Sequence, residues 1–197
     1  HEVLAEVKAL YEAVQQSGIK YSNPAKSLDW TMGQVIRSNS EILGAKVATC
    51  LDSTILFASL LENIAVRPVI ALAPGHAFVG FWTRSGRGAN FSSGIAETEE
   101  ALQYMRSAPA RLYFVETTLM CNWENQASFE QAVAVADRKI TESLGKSEVE
   151  DQDPNDWRLI DVSSARRRGY RPLASKVVNA DGTSTIVEYT LDNTPVD

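Results

Sequence analysis

The chain has 197 residues and a formal net charge of −6, from 19 Lys and Arg against 25 Asp and Glu. Hydrophobic residues make up 44% and charged residues 22% of it, which is typical of a globular protein and excludes a disordered or collagen-like chain. The acidic balance gives no basic face, so we expect no nucleic-acid partner. No apolar run reaches the roughly 18 residues that a membrane helix needs, so we expect no membrane partner.

The length fits a single domain over residues 1–197. We divide it into an N-terminal helical part over 1–48, a core over 49–175 and a C-terminal β-hairpin and tail over 176–197. The sequence begins at His1 rather than Met, so we expect a piece of a larger protein, whose other domains are candidate partners. Two cysteines are too few for a disulfide framework, which favours a reducing compartment and predicts a cytoplasmic location.

The N-terminal part contains two helical patterns. Apolar residues recur at helical spacing over 1–16, and Gly18 follows where a helix C-cap falls. Residues 19–32 are predicted as a loop with a turn at Asn23-Pro24. Ser38 and Glu41 form a capping-box pattern, which predicts a short helix over 39–43.

The strongest helical signal begins at Cys50. Thr49 and Asp52 have the spacing of an N-cap residue and its N3 partner. The run from Leu51 to Ile64 is apolar around most of its circumference, so we predict a central, buried helix. This helix must end before Pro68, because a proline disfavours the helical conformation in the residue before it.

The hydrophobic period then changes to that of strands. Strands over 66–72 and 76–82, joined at Pro74-Gly75, predict an antiparallel hairpin, because the connection is too short for a parallel crossover. The later predicted elements are a short helix over 97–106, a strand over 111–117, a helix after the capping pattern of Ser128 and Gln131, an acidic loop over 147–156, a strand over 157–162 and a terminal hairpin around Asp181-Gly182. Helices first and then mostly antiparallel strands predict an α+β fold.

Three side chains at the ends of these elements form a candidate catalytic set. Cys50 is the first residue of the central helix, where unpaired N–H groups and the helix dipole favour a thiolate nucleophile. His76 is the one histidine besides His1, and it opens a strand after the Pro-Gly turn. Glu116 follows an apolar strand, and a carboxylate there can orient an imidazole and favour its protonated form.

Each of these residues also has a simpler structural interpretation. Cys50 fits a buried structural cysteine, His76 a packed or surface residue, and Glu116 a strand-end carboxylate that faces water. Asp52 is interpreted as stabilising the helix N-terminus, and Cys121 as structural.

Other chemistries have little support in the sequence. It has no glycine-rich phosphate loop, and its cysteines and internal histidine are too scattered for a zinc site, so we expect neither a cofactor nor a metal. The run Arg166-Arg167-Arg168, with Arg171, is interpreted as a solvated face or as an ion-pair partner of the 147–156 loop.

Three short motifs resemble those of the transglutaminase-like branch of the papain-like cysteine enzymes. They are Thr49-Cys50-Leu51-Asp52 opening an apolar helix, Arg67-Pro68 followed by Gly75-His76-Ala77-Phe78-Val79-Gly80, and Phe114-Val115-Glu116-Thr117-Thr118. The resemblance covers roughly residues 5–175, is most specific between Thr49 and Thr118, and is closest to bacterial domains inside larger proteins. It implies a transglutaminase/papain-like core in which the nucleophile helix packs on an antiparallel sheet.

The resemblance also implies roles. Cys50 matches the family's nucleophile, His76 its base and Glu116 its orienting acid. Two positions depart from the family: the acid is usually Asp, and the residue before Thr-Cys, here Ala48, is commonly Gly. The family also has an upstream oxyanion donor, for which the candidates are Trp30 and Gln34.

These roles imply a cysteine hydrolase or protease that cleaves a peptide or isopeptide bond through a thioester, with a protein or peptide as substrate. Hydrolysis is favoured because water is always available. The alternatives are a transglutaminase or deamidase acting on protein glutamine, a catalytically inactive protein-binding module, and, less favoured, a metal hydrolase using His76 with carboxylates.

Overall fold

A computed structural model describes residues 2–23, 35–83, 94–96, 100, 101, 103, 112–121, 127–146, 157–171, 175–179 and 181–187. The α-helices are α1 (Glu2–Gln16), α2 (Asn39–Ala45), α3 (Cys50–Asn63), α4 (Phe129–Lys146) and α5 (Val162–Arg167), with a 3-10 helix over Thr117–Cys121. The strands are β1 (Lys20–Tyr21), β2 (Val47–Ala48), β3 (Pro68–Ala73), β4 (His76–Trp82), β5 (Ile95–Ala96), β6 (Leu112–Val115), β7 (Arg158–Asp161), β8 (Ser175–Val178) and β9 (Ser184–Val187).

The central element is a five-stranded sheet in the order β5-β7-β3-β4-β6. Every neighbouring pair in it is antiparallel, and the β3–β4 hairpin turns at Gly75, whose φ of 65° suits glycine. The predicted hairpin and the α+β class are therefore confirmed. Strands β8 and β9 form the predicted antiparallel terminal hairpin.

Alternating side chains of β4 bury on opposite faces of this sheet. Val79 and Phe81 join the core that α1 and α3 cover, together with Phe57 of α3. Phe78 and Trp82 join a second core on the other face, which also contains Trp157. Helix α3 is therefore buried against the sheet, as its apolar circumference predicts, and its position fixes where its N-terminus lies.

Several boundaries differ from the sequence predictions. The strand predicted over 66–72 begins at Pro68, and the one predicted over 111–117 ends at Val115 because Thr117 begins the 3-10 helix. The strand predicted over 157–162 ends at Asp161, which caps α5 by accepting a hydrogen bond from the Ser164 N–H. The predicted loop over 19–32 contains β1, a two-residue strand too short to show a period.

One arginine of the run pairs with a described carboxylate, whereas the predicted ion pair with the 147–156 loop falls on residues outside the described part of the chain. Arg166 donates two hydrogen bonds of 2.8 Å to the carboxylate of Glu62 near the end of α3. Arg167, Arg168 and Arg171 are exposed, as expected for a solvated face.

Some predictions lie outside the described residues. These are the acidic loop over 147–156, the Asn23-Pro24 turn beyond Asn23, and the oxyanion candidates Trp30 and Gln34. Of the helix predicted over 97–106, residues 100, 101 and 103 are described, and they are helical. Within the described part of the chain, no helix is both long enough and apolar enough to cross a membrane.

Candidate active site

The N-terminus of α3 is held by a reciprocal cap. The Thr49 hydroxyl accepts a hydrogen bond from the Asp52 N–H at 3.2 Å, and the Asp52 carboxylate accepts one from the Thr49 N–H at 3.0 Å. The predicted capping box is therefore present, and it makes Cys50 the first helical residue. The side chain of Cys50 lies just below the surface, with 7% of the residue exposed.

Asp52 has the structural role predicted for it. Its carboxylate also accepts hydrogen bonds from the backbone N–H of Arg37 at 2.9 Å and from the Arg37 guanidinium at 2.7 Å. Burial alone would raise the pKa of Asp52, but the hydrogen bonds from Thr49 and Arg37 outweigh it and lower the pKa. With its oxygens engaged in this way, Asp52 fixes the helix start rather than facing a substrate.

Sheet register brings His76 and Glu116 together. Val79 of β4 pairs with Val115 of β6, so antiparallel β6 ends near the start of β4. Nε2 of His76 lies 2.7 Å from Oε2 of Glu116, and the imidazole ring packs edge-on against Phe78 with centroids 4.7 Å apart. The His76 side chain remains 21% exposed, so the ring is both anchored and accessible to solvent.

Glu116 is buried, and the interpretation that it faces water is wrong. Only 1% of its side chain is exposed. Its Oε1 accepts hydrogen bonds from the Thr118 hydroxyl at 2.8 Å and the Thr118 N–H at 3.2 Å. Burial alone would raise the pKa of Glu116, but hydrogen bonds from His76, Lys139 and Thr118 outweigh it and lower the pKa to about 2.

The third member of the predicted set, Cys50, reaches the same imidazole. Burial alone would lower the pKa of His76, but hydrogen bonds with the side chains of Cys50 and Glu116 outweigh it and raise the pKa to about 9. The imidazole of His76 therefore interacts with both other candidate residues, the Cys50 thiol and the Glu116 carboxylate. The imidazolium is favoured at neutral pH.

Lys139 of α4 is a fourth charged residue at this place, and the sequence analysis missed it. Its Nζ lies 2.6 Å from Oε2 of Glu116 and 3.5 Å from Nε2 of His76. The ammonium also lies 5.8 Å from the centroid of the Phe78 ring. A signal was present, because Lys139 follows buried Ala136 by three residues and so lies beside the apolar face of its helix.

Buried hydroxyls join the helix of Cys50 to the segment after Glu116. Thr117 Oγ1 lies 3.0 Å from Ser53 Oγ and 3.2 Å from Thr54 Oγ1. The Ser53 hydroxyl also donates to the carbonyl of Cys50 at 3.0 Å. This cluster links α3 to the residue that follows Glu116, and nothing in the sequence periodicity signals it.

Cys121 lies in a different environment from Cys50, at the end of the 3-10 helix and away from any position at a helix N-terminus. It is fully buried, and burial raises the pKa of its thiol to about 12, which fits the predicted structural role. Among the described residues, no group of three His, Cys, Asp or Glu side chains is arranged to hold a metal ion.

Comparison with protein-family models, with curated proteins and with solved structures gives no significant match for this chain.

Proposed function

We propose that this protein is a cysteine hydrolase that cleaves a peptide or isopeptide bond through a thioester intermediate, with Cys50 as nucleophile, His76 as acid and base, and Glu116 as orienting acid. The observation that carries the proposal is the position of His76, whose Nε2 lies 2.7 Å from Glu116 and whose imidazole also interacts with the Cys50 side chain, which helps to raise its pKa. A thiol and a carboxylate that interact with the same imidazole are the groups that nucleophilic catalysis with an oriented base requires.

Each part of the set has a physical task in acylation. Because Glu116 binds Nε2 of His76, Nδ1 is the ring nitrogen left to take the thiol proton. The Cys50 thiolate attacks the substrate carbonyl carbon, a C–S bond forms, and the carbonyl π electrons move to oxygen. As the oxyanion collapses, the C–N bond breaks and the His76 imidazolium gives its proton to the leaving amine.

Deacylation repeats these proton transfers with water. His76 removes a proton from water, the resulting hydroxide attacks the thioester, and the C–S bond breaks to release a carboxylic acid and the Cys50 thiolate. An amine in place of water would give transamidation by the same steps, so the acceptor distinguishes a hydrolase from a transglutaminase.

The start of α3 supplies an oxyanion donor. The N–H groups of the first helical turn have no intrahelical acceptor, and the Thr49 hydroxyl takes only that of Asp52. The Cys50 N–H is therefore available to donate a hydrogen bond to the oxyanion that forms when the thiolate attacks, and a donor of this kind contributes about 3 kcal/mol to transition-state stabilisation.

The substrate and the compartment belong to the same proposal. A protein or peptide supplies the amide bond, and no cofactor is needed for the steps above. Both cysteines are free, which agrees with a cytoplasmic location where thiols stay reduced.

Thiol reactivity tests the proposal, and the chain contains its own control. In a short iodoacetamide pulse at pH 7, we expect Cys50 to be alkylated at least tenfold faster than Cys121, measured by peptide mass spectrometry. Burial alone predicts slow reaction at both sites, because Cys50 is 7% and Cys121 0% exposed. His76→Gln should remove most of the Cys50 reactivity while leaving that of Cys121 unchanged.

Equal, slow alkylation of the two cysteines in the wild-type protein would contradict the proposal and favour the protein-binding module. If Cys50 is alkylated rapidly, the protein should next be treated with peptide electrophiles, with and without an added primary amine. Adducts released as acid support the hydrolase, and adducts released onto the amine support the transglutaminase.

A further inference from the structure

The carboxylate of Glu116 serves two cationic partners on one oxygen. His76 Nε2 lies 2.7 Å and Lys139 Nζ 2.6 Å from the same Oε2, while Oε1 is taken by Thr118. The carboxylate is 1% exposed, whereas the Lys139 side chain is 44% exposed. A buried negative charge is therefore shared between an imidazole and an ammonium that extends from solvent.

We propose that Lys139 is a positioning residue for His76, which shares the charge of Glu116 and so limits how strongly that carboxylate holds the imidazolium. This inference rests on the proposed function for its purpose, although the electrostatic effect itself does not depend on catalysis.

The charges around His76 determine the direction of the effect. Cys50 of α3 and Glu116 after β6 both favour the imidazolium, and Lys139 of α4 opposes it by repulsion. Tyr21 of β1 and Tyr11 of α1 interact electrostatically with Glu116 but are neutral, because each has a raised pKa. Among the described residues, Lys139 is thus the cation that counteracts the carboxylate.

The repulsion between Lys139 and the His76 imidazolium would serve acyl transfer. If the pKa of His76 is far above the working pH, the imidazole accepts the thiol proton readily but the imidazolium donates it poorly to the leaving amine. A general acid works best when its pKa lies near the working pH. Removal of Lys139 should therefore leave the thiolate intact while slowing the step that needs the acid.

NMR titration of the histidine rings tests the inference directly. The chain contains only His1 and His76, so two ring signals are expected, and His1 is an internal reference. Lys139→Met should raise the pKa of His76 by about one pH unit. Lys139→Arg, which keeps the charge, should stay near the wild-type value. Lys8→Met is the matched control, because it removes an exposed 2.6 Å ion pair to Glu130 of the same helix, and neither residue is among the groups that shift the pKa of His76.

Kinetic measurements on Lys139→Met distinguish attack by the thiolate from proton donation to the leaving amine. Iodoacetamide needs only the thiolate, so Cys50 alkylation in Lys139→Met should equal or exceed the wild-type rate. Hydrolysis of an amide substrate needs the returned proton, so kcat should fall about three- to tenfold with KM little changed.

The two proposals fail in different ways. An unchanged or lowered pKa of His76 in Lys139→Met, or the same shift in Lys8→Met, would overturn the role of Lys139. Slow Cys50 alkylation in the wild-type protein would overturn the hydrolase while leaving the His76 titration readable. If Lys139→Met does not fold, Lys139→Gln gives the same test with a polar side chain.

Discussion

Nε2 of His76 lies 2.7 Å from Oε2 of Glu116, a carboxylate 40 residues later in the chain. The pair forms because antiparallel β6 ends beside the start of β4. Glu116 cannot turn to water, since it is buried and both its oxygens accept hydrogen bonds. The pair therefore ties the stability of the site to the same charges that would serve catalysis.

Replacing Glu116 by an uncharged side chain of the same shape should lower the activity. Glu116→Gln keeps the shape but removes the charge, so the pKa of His76 should fall toward its ordinary value of 6.5. We expect amide hydrolysis to drop about 100-fold or more, because the imidazolium loses its partner and the ring its fixed orientation. Steady-state kinetics and the alkylation rate of Cys50 at pH 7 measure this.

Two further variants define the role of the acid. Glu116→Asp shortens the side chain by one methylene, so it should not reach Thr118 and His76 together, and its activity should remain well below that of the wild type. Glu62→Gln is the control, because it removes an ion pair to Arg166 without touching the site. Activity that survives in Glu116→Gln at the level of Glu62→Gln would mean that Glu116 has no part in the reaction.

Stability should depend on pH with a maximum between about pH 4.5 and 6.5. The pKa of His76 rises from 6.5 to about 9, so its contribution is complete below 6.5 and is lost as pH rises through 9. The pKa of Glu116 falls from 4.5 to about 2, so its contribution is complete above 4.5 and is lost as pH falls through 2. Each shift corresponds to about 3 kcal/mol, and both largely reflect one ion pair, so they do not add.

Urea unfolding at a series of pH values measures this dependence. The free energy of unfolding should decrease by roughly 1–3 kcal/mol between pH 6.5 and pH 9 in the wild-type protein. In Glu116→Gln, the decrease in the free energy of unfolding between pH 6.5 and pH 9 should be smaller. A wild-type stability that is constant over that interval would contradict the raised pKa of His76.

Loss of the cap at the start of α3 should be costly. Asp52→Ala removes the acceptor for the Thr49 and Arg37 N–H groups and leaves the Arg37 guanidinium unpaired. We expect a loss of about 2–4 kcal/mol in the free energy of unfolding. Arg37→Met should cost only about 1 kcal/mol, because Arg37 is 40% exposed and both backbone donors remain on Asp52. An equal cost for the two variants would show that the backbone hydrogen bonds contribute nothing measurable.

Local sequence patterns predicted most of the elements around the site. The start of α3 follows from the spacing of Thr49 and Asp52, and β4 from the turn at Gly75, because capping and turn chemistry involve only near neighbours in the chain. Local patterns do not predict the two-residue strand β1, because its pairing with β2 depends on residues more than 25 positions later in the chain.

The sequence by itself determined that a cysteine begins a buried helix, that a histidine opens a strand and that a glutamate ends one. Only the tertiary structure decided that these groups meet, that Glu116 is buried, and that Lys139 shares its charge. The physical reason is that periodicity reports which face of an element is apolar, whereas sheet register and helix packing decide which polar groups at the ends of those elements become neighbours.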